Sequence, residues 1–365
     1  MQTNREILDS LFEAGKIDAR RGDLFDTPPW PASRNCAWDR VEGMMLGLAI
    51  GDALGQGTEG RLPGSRRREF GEIRDYLPNR HAGGERVGMP SDDTQLAFWS
   101  LEQMIADRGL DPENLARRFS RGRIFGIGST VRRFLSNFKA GKPWTECGPK
   151  SAGNGALMRI APVLIPHLGK GTPDLWVDTA LSAMITHNDS ASISACLSFV
   201  NILWQLLRME SPPAKPSWWL ETYVKTSKDL EVDFNYRPRS GRVGDFRGPV
   251  WKFLETYVAQ AVDKDLPVKD ACDPWYSGAY LLETVPCSLY ILMRHGHDPE
   301  EAVVRAVNDT KDNDTIAAIV GAAVGALHGK AVLPPRWISN LSGRTAEWDD
   351  GRIFELLNDA RNLWG

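Results

Sequence analysis

The chain has 365 residues, 42% of them hydrophobic, and its 44 basic and 47 acidic side chains give a formal net charge of −3. This composition is typical of a folded, soluble protein, and the near balance of charge argues against a general nucleic-acid-binding protein, whose affinity rests on an excess of Lys and Arg. The five cysteines are scattered without a Cys-x-x-Cys spacing, which excludes an obvious disulfide framework or zinc site.

The first forty residues are predicted to be an extension of a domain that covers residues 41–365. They contain no apolar leader, and no apolar run in the chain is long enough to cross a membrane, so we expect a cytoplasmic protein. Residues 4–14 have the spacing of a short amphipathic helix with Leu8, Leu11 and Phe12 on one side. A charged loop broken by prolines follows this helix.

From residue 41 onward helical periodicity dominates, and alternating patterns that would indicate strands are few. We therefore predict a compact, all-α domain of roughly a dozen orthogonally packed helices. The segment 210–247, with its prolines, is predicted to be an irregular insertion. The predicted helices cover residues 41–54, 92–107, 112–120, 130–139, 154–167, 175–187, 190–208, 250–262, 277–294, 299–307 and 313–328.

Two of the predicted helices carry Gly and Ala at close intervals, over residues 43–51 and 319–327. Gly costs about 1 kcal/mol relative to Ala inside a helix, so several in one helix indicate that another backbone comes close. We expect the two helices to cross tightly and to bring Asp52, Glu59 and Asp314 into one centre.

The segment after the first of these helices, residues 55–60, has the G-x-G-x-x-G spacing of a dinucleotide-binding loop. That motif needs a preceding strand and a following helix, whereas here a helix precedes it and Pro63 follows. We interpret it as a loop that presents Glu59 to a ligand. The basic run at 66–68 is interpreted as a solvated turn.

Two acidic clusters are the most informative feature of the chain. The first cluster is Ser91-Asp92-Asp93-Thr94 and the second cluster is Asp312-Asn313-Asp314-Thr315, and each opens a predicted helix. Each alone is also explained as a helix N-cap with acidic residues favoured by the helix dipole. Together they supply the hard oxygen ligands that Mg²⁺ or Mn²⁺ prefers. If the fold joins them, the carboxylates repel one another unless cations lie between them.

The turn Gly153-Asn154-Gly155 precedes a predicted helix, which suits backbone N–H groups that point at a phosphate, although an ordinary turn has the same pattern. His187 ends a predicted helix and is equally well explained as a structural histidine. The chain has no H-E-x-x-H or G-x-S-x-G signature, so the zinc protease and serine hydrolase classes have no support.

Taken together, these motifs resemble the ADP-ribosylglycohydrolase family. The matching elements follow the family's order from residue 41 to 329: Gly51-Asp52-Ala53-Leu54-Gly55, Glu59, the first acidic cluster, Gly153-Asn154-Gly155 with Met158-Arg159, Thr186-His187 and the second acidic cluster. Ser91 stands where the family often has Thr, which keeps the hydroxyl. Asn313 also stands where Thr is frequent, and we expect it to face away from the metals.

The resemblance implies an all-α fold with a binuclear centre of two Mg²⁺ or Mn²⁺ ions. We expect Asp93 or Glu59 to transfer the proton in catalysis. The implied metal ligands are Ser91, Asp92, Asp93, Asp312, Asp314 and Thr315. The implied contacts to ADP-ribose come from Glu59, Gly153, Asn154, Gly155 and His187.

The function implied is hydrolysis of the N-glycosidic bond between ADP-ribose and an arginine of a protein substrate. ADP-ribosylserine or small ADP-ribosyl compounds are alternative substrates. The chain is also similar to a subgroup that acts as immunity proteins against ADP-ribosylating toxins, so an alternative role is to bind and occlude such a toxin. The side chains expected to contact a toxin are Leu8, Leu11, Phe12, Phe25 and Trp30.

Overall fold

The computed structural model describes residues 2–31, 36–79 and 82–365. Residues 1 and 32–35 of the predicted N-terminal extension therefore lie outside the described residues. Within the described ranges the secondary structure is helical, with isolated bridges but no strand, which confirms the predicted all-α class. In the same ranges, no helix combines the length and apolarity that crossing a membrane requires.

The described residues form seventeen α-helices and several short 3-10 helices. The α-helices are α1 (Asn4–Glu13), α2 (Trp38–Gln56), α3 (Pro63–Phe70), α4 (Asp92–Asp107), α5 (Pro112–Phe119), α6 (Ser129–Lys139), α7 (Asp174–Thr186), α8 (Ser190–Leu206), α9 (Ser217–Ser227), α10 (Val250–Phe253), α11 (Ala259–Asp263), α12 (Val268–Cys272), α13 (Leu281–His295), α14 (Pro299–Asp309), α15 (Asn313–His328), α16 (Pro335–Ser339) and α17 (Arg352–Trp364). A π-helical turn, Leu254–Val258, joins α10 to α11.

The antiparallel contact between α2 and α15 forms the centre of the fold. Glycines at every fourth position of α2 lie on one face of the helix, and this face meets the backbone of α15. A methyl group on Gly43 would lie 2.5 Å from the carbonyl oxygen of Gly325, and Gly47 and Gly321 meet equally closely. The predicted tight crossing is confirmed. It brings the C-terminal end of α2 to the N-terminal end of α15.

The predicted α-helix over 154–167 is wrong. This segment forms two 3-10 helices, Leu157–Arg159 and Ala161–His167. Pro162 and Pro166 lack the amide hydrogens that a continuous α-helix would need.

Two predictions of irregular or solvated segments also need correction. The predicted insertion at 210–247 contains α9, whose Trp219 and Tyr223 are buried in the core. The basic run at 66–68 lies in helix α3, which starts at Pro63, and not in a turn. Arg67 and Arg68 are exposed as predicted, whereas Arg66 is 0% exposed. The burial of α9 and the burial of Arg66 both depend on partners that are distant in sequence, apolar side chains for α9 and backbone carbonyls for Arg66.

The N-terminal helix α1 packs onto α7, and Asn4 ties it there by donating hydrogen bonds to Asp178 Oδ1 at 2.7 Å and to the carbonyl of Leu110 at 2.8 Å. Most of the side chains expected to contact a toxin face the chain's own core, because they form the apolar side of this packing. Leu8, Leu11 and Phe25 are buried, Phe12 is half-buried against Phe25, and Trp30 is 72% exposed. The five do not form one exposed face.

Candidate active site

Three helix ends bring the acidic side chains together. Asp52 lies one turn before the end of α2, the first acidic cluster begins α4, and the second begins α15. Carboxylate oxygens of Asp52, Asp93 and Asp314 lie within 4.8 Å of one another, and those of Glu59, Asp312 and Asp314 do the same. The tight α2–α15 contact brings Asp52 and Asp314 together.

Neither acidic cluster uses its first side chain to cap its own helix. Ser91 and Asp312 occupy the N-cap positions of α4 and α15, but among the described residues neither side chain accepts a capping hydrogen bond. Asp52 caps α4 instead, because its carboxylate accepts hydrogen bonds from the Ser91 N–H at 2.9 Å and from the Thr94 N–H at 3.1 Å and hydroxyl at 2.5 Å. The capping alternative therefore does not account for the side chains of Ser91 and Asp312.

A cavity of about 160 Å³ opens beside these carboxylates. What we call the acidic lining of this cavity consists of five carboxylates and one hydroxyl, those of Glu59, Asp92, Asp93, Asp312, Asp314 and Thr315. Its neutral lining includes Gly153, Asn154, Gly155 and His187. The loop before α6 contributes Gly126 and Gly128, and the first turn of α6 contributes Ser129, Thr130 and Val131. Met158 and Ala279 complete the lining. Ser91 lies next to the acidic lining, where its hydroxyl donates a hydrogen bond to Asp93 Oδ2 at 3.3 Å.

Burial and mutual repulsion raise the pKa values throughout the acidic lining. Burial, with the Asp52 charge second, raises the pKa of Asp92 to about 8. Burial raises the pKa of Asp312 to about 7, with the Glu59 charge adding to it. The pKa values of Asp93 and Asp314 are also raised, first by burial and then by neighbouring carboxylates. So many negative charges cannot coexist here without positive charge nearby.

The donor set of the acidic lining fits a divalent cation. Asp93 Oδ1 is buried and has no hydrogen-bond partner in the described part of the chain. A buried carboxylate oxygen without a partner is costly, and a metal ion removes that cost. The surrounding carboxylates and the Thr315 hydroxyl are the oxygen ligands that Mg²⁺ and Mn²⁺ prefer over thiolates.

The neutral lining is formed by a glycine turn packed on a histidine ring. A methyl group on Gly155 would lie 2.9 Å from His187 Cε1, so only glycine allows this contact. Burial, and then the charge of Arg159, lower the pKa of His187 to about 3, and the imidazole is therefore uncharged at neutral pH. His187 Nδ1 forms a hydrogen bond of 3.0 Å with the Thr186 hydroxyl.

Asn154 links the two linings. Its side-chain Nδ2 donates hydrogen bonds to Asp312 Oδ2 at 2.6 Å and to the Thr284 hydroxyl at 3.0 Å. Its backbone N–H donates to the carbonyl of Ala279 at 3.2 Å. That N–H is thus used within the chain and does not point at a phosphate as predicted, whereas the side chain orients Asp312.

The geometry of this site and the fold agree with one family. The family model described as ADP-ribosylglycohydrolase matches residues 33–364. The chain belongs to the ADP-ribosylglycohydrolase family. Family membership makes it a hydrolase of ADP-ribosyl linkages, and members of the family use a divalent metal centre.

Individual relatives of this glycohydrolase support the assignment. An uncharacterized protein of Archaeoglobus fulgidus is 31% identical over 312 residues, which cover 84% of this chain and 92% of the relative. ADP-ribosylarginine hydrolase Tri1 of Pseudomonas putida is 26% identical over 336 residues, covering 86% of this chain and 79% of that protein. A solved structure described as an ADP-ribosylglycohydrolase-related protein complex superposes with a TM-score of 0.63 at 27% identity, over 90% of this chain and 97% of that one.

The glycohydrolase cavity gathers all the sequence-predicted site residues except Ser91, which adjoins it, and the five side chains of the N-terminal segment. Asn313 faces away as expected, since its side chain donates to the Thr58 hydroxyl and the Val307 carbonyl. Two features were missed. Asp52 was expected nearby but not as a candidate ligand. The segment 126–131, which is the loop before α6 and the first turn of that helix, was not recognised as part of the site. Its Gly126-x-Gly128 spacing before α6 resembles the turn at 153–155 and is the signal that was available.

Proposed function

We propose that this glycohydrolase cleaves the N-glycosidic bond between ADP-ribose and an arginine side chain of a protein. The observation that carries the proposal is the convergence of both acidic clusters and Glu59 on one cavity that also contains the turn at 153–155 and His187. The similarity to the Pseudomonas putida protein named ADP-ribosylarginine hydrolase supports arginine as the linked residue.

We propose a binuclear centre of Mg²⁺ or Mn²⁺ in the acidic lining. When bound, such ions neutralise the carboxylates, bind the vicinal hydroxyls of a ribose and lower the pKa of water. The residues that would hold them are Ser91, Asp92, Asp93, Asp312, Asp314 and Thr315, and Asp52 lies close enough to join them.

The size of the cavity indicates which part of the substrate it encloses. Pockets that enclose a whole drug-sized ligand have volumes of roughly 300–1,000 Å³, whereas this one has about 160 Å³. We therefore propose that the cavity encloses one ribose, and that the rest of ADP-ribose and the linked side chain lie towards the mouth. Cleavage of the glycosidic bond passes through an oxocarbenium-like state, whose positive charge the acidic lining stabilises.

Of the two candidate proton-transfer groups, Glu59 is better placed to serve the leaving group. Asp93 is buried and accepts a hydrogen bond from Ser91, whereas Glu59 is an exposed residue on the loop after α2 with its carboxyl group in the cavity. Desolvation of that carboxyl group, with the Asp52 charge second, raises the pKa of Glu59, which is the direction that a general acid needs. A guanidine leaving group makes a mild demand on this acid, because its nitrogen is already basic.

The decisive experiment offers the purified chain an arginine-ADP-ribosylated protein and a serine-ADP-ribosylated peptide, each with Mg²⁺ or with a chelator. We expect release of ADP-ribose from arginine in Mg²⁺ and none in chelator. The double variant Asp92→Ala, Asp93→Ala is the control for a contaminating hydrolase. Faster release from serine would overturn the arginine proposal, and release that persists in chelator would overturn the metal proposal.

A toxin-binding role for residues 1–40 is a separate proposal, now centred on the exposed Trp30. Its test is binding of the full chain and of Trp30→Ala to an ADP-ribosyltransferase toxin, with Leu8→Ala as the control for damage to the packing of α1. Loss of binding in Trp30→Ala alone supports the proposal, and unchanged binding contradicts it. If the catalytically dead Asp92→Ala, Asp93→Ala variant still protects cells from the toxin, occlusion rather than hydrolysis is the mechanism.

A further inference from the structure

Arg66 in α3 is a fully buried cation outside the cavity lining, and its guanidinium uses every one of its donors. Nε donates to the Thr58 hydroxyl at 2.9 Å, and Nη2 donates to the carbonyls of Thr58 at 3.2 Å and Arg61 at 3.0 Å. Nη1 donates to the carbonyls of Asn308 at 3.3 Å and Thr310 at 2.7 Å. One side chain thus joins two segments that are distant in sequence.

Both segments lie next to or contain a residue of the acidic lining. Glu59 lies between the two residues of the first segment that Arg66 holds, and Asp312 follows closely after the second. The same two segments meet through a backbone hydrogen bond of 3.0 Å from Gly60 to Lys311, and the Asn313 side chain donates to the Thr58 hydroxyl at 3.0 Å. The position of Glu59 relative to Asp312 therefore depends on the contacts that Arg66 organises.

Stability alone does not explain an arginine at this position. Burying a charge is costly, and well-packed apolar residues often replace buried ions without loss of stability. In the described part of the chain the hydrogen bonds of the Arg66 side chain all go to neutral hydroxyl and carbonyl oxygens. Burial lowers the pKa of Arg66 to about 10, while Asp314 and Asp309 act in the opposite direction. The planar fork of Arg suits contacts to two segments at once, whereas Lys presents three donors around one point.

We propose that Arg66 is a positioning residue for Glu59. It holds the loop 57–61 against the segment 308–312, so that the Glu59 carboxylate stays within 4.8 Å of Asp312 and Asp314 oxygens. The kinetic part of this inference rests on the proposed role of Glu59, and the structural part does not.

The structural test is amide hydrogen exchange in the variant Arg66→Lys. We expect roughly tenfold faster exchange of the amides at 58–61, because hydrogen bonds to a charged group are lost. Arg208→Lys is the matched control, since Arg208 is also buried and donates to the carbonyls of Trp204 and Leu168, away from the cavity. It should lower thermal stability without changing exchange at 58–61. Unchanged exchange in Arg66→Lys, or an equal change in both variants, overturns the proposal.

The kinetic test combines Arg66→Lys with Glu59→Gln. We expect Arg66→Lys alone to lower kcat by about ten- to a hundredfold, the range for residues that orient a site's ligands, with little change in KM. In the Glu59→Gln background the same substitution should change kcat within about twofold, since the two residues act as a unit. Equal losses in both backgrounds would show that Arg66 acts independently of Glu59.

The outcomes separate this inference from the proposed function. If Glu59→Gln leaves kcat unchanged, the proposed role of Glu59 fails and the exchange experiment still decides whether Arg66 holds the loop. If Arg66→Lys does not fold, Thr58→Val replaces it, because it removes the hydroxyl that accepts from both Arg66 and Asn313. Faster exchange at 59–61 in Thr58→Val supports the proposal, and unchanged exchange contradicts it.

Discussion

The acidic and the neutral lining of the cavity differ in how their polar atoms find partners. In the neutral lining, the Asn154 side chain and His187 Nδ1 both bond to protein groups, and burial lowers the pKa of His187. In the acidic lining, burial and repulsion raise the pKa values, and Asp93 Oδ1 has no partner among the described residues. The protein supplies partners to these groups of the neutral lining, whereas it leaves Asp93 Oδ1 of the acidic lining without one, where the proposed cations would bind.

Removing a carboxylate from the acidic lining should have the largest effect on activity and on cation binding. We expect Asp93→Ala to lower kcat by at least about a hundredfold, because a bound metal ion contributes several kcal/mol of transition-state stabilisation, and to weaken Mg²⁺ binding measured by calorimetry. Asp359→Ala, which removes an exposed carboxylate of α17, is the control and should change neither quantity. Wild-type Mg²⁺ affinity in Asp93→Ala would mean that the acidic lining is not the cation site.

The stability of the metal-free protein should fall as pH rises from about 4 to 8. The folded-state pKa values of Asp92 and Asp312, about 8 and about 7, lie above the unfolded value, which is about 3.9. In this interval the folded state binds more protons than the unfolded state, so the free energy of unfolding falls by up to about 1.4 kcal/mol per pH unit for each group.

Urea unfolding at pH 5 and pH 8, with chelator and with Mg²⁺, measures this effect. We expect Mg²⁺ to remove the part of the pH dependence that Asp92 and Asp312 cause, because the bound ion stabilises their ionised carboxylates. The part from Glu231, a buried residue outside the cavity whose pKa burial raises to about 8, should remain. A metal-free protein that is as stable at pH 8 as at pH 5 would show that the acidic lining tolerates its own charge.

Substituting a glycine of the α2–α15 contact should disturb the acidic lining and spare the neutral one. Gly47→Ala places a methyl group against the backbone of Gly321, and we expect a loss of about 1–3 kcal/mol in the free energy of unfolding. Weaker Mg²⁺ binding should accompany this loss. Gly169→Ala is the control, because no atom lies near a methyl group there. Equal stability of the two variants would contradict the role assigned to the contact.

Substituting His187 should have the smallest effect, because its ring is already uncharged. We expect His187→Gln to raise KM by up to about tenfold through loss of a neutral hydrogen bond and to leave the pH profile of kcat between pH 5 and 8 unchanged. If the wild-type profile contains an inflection that disappears in His187→Gln, the imidazole titrates between pH 5 and 8, which contradicts an uncharged His187 across this range.

The features of this site that depend on local sequence pattern could be predicted from the sequence. The bounds of α4 and α15 agree with the predicted helices, because each combines an acidic first turn with an apolar stripe. The approach of α15 to α2 was predictable from the Gly and Ala spacing of both helices, because several glycines in one helix indicate a close backbone contact. Local pattern also indicated that Glu59 lies on a loop.

Features that depend on distant partners were not predictable in this way. Arg66 was interpreted as solvated because its partners include carbonyls of Asn308 and Thr310, which the local sequence does not reveal. Asp52 caps a helix other than its own, so its part in the first acidic cluster is invisible in the pattern of α2. The π-helical turn Leu254–Val258 interrupts a segment whose periodicity predicts one continuous helix.

The paired glycines of α2 and α15 also fix the rotational phase of the second acidic cluster. Each residue of an α-helix advances it by 1.5 Å and, at 3.6 residues per turn, rotates it by about 100°. A single-residue insertion between Gly321 and Thr315 would therefore swing Asp314 out of the cavity even with every side chain retained. Length changes in this stretch should be far less tolerated than many substitutions, because the number of residues between Gly321 and Asp314 sets where the Asp314 carboxylate lies.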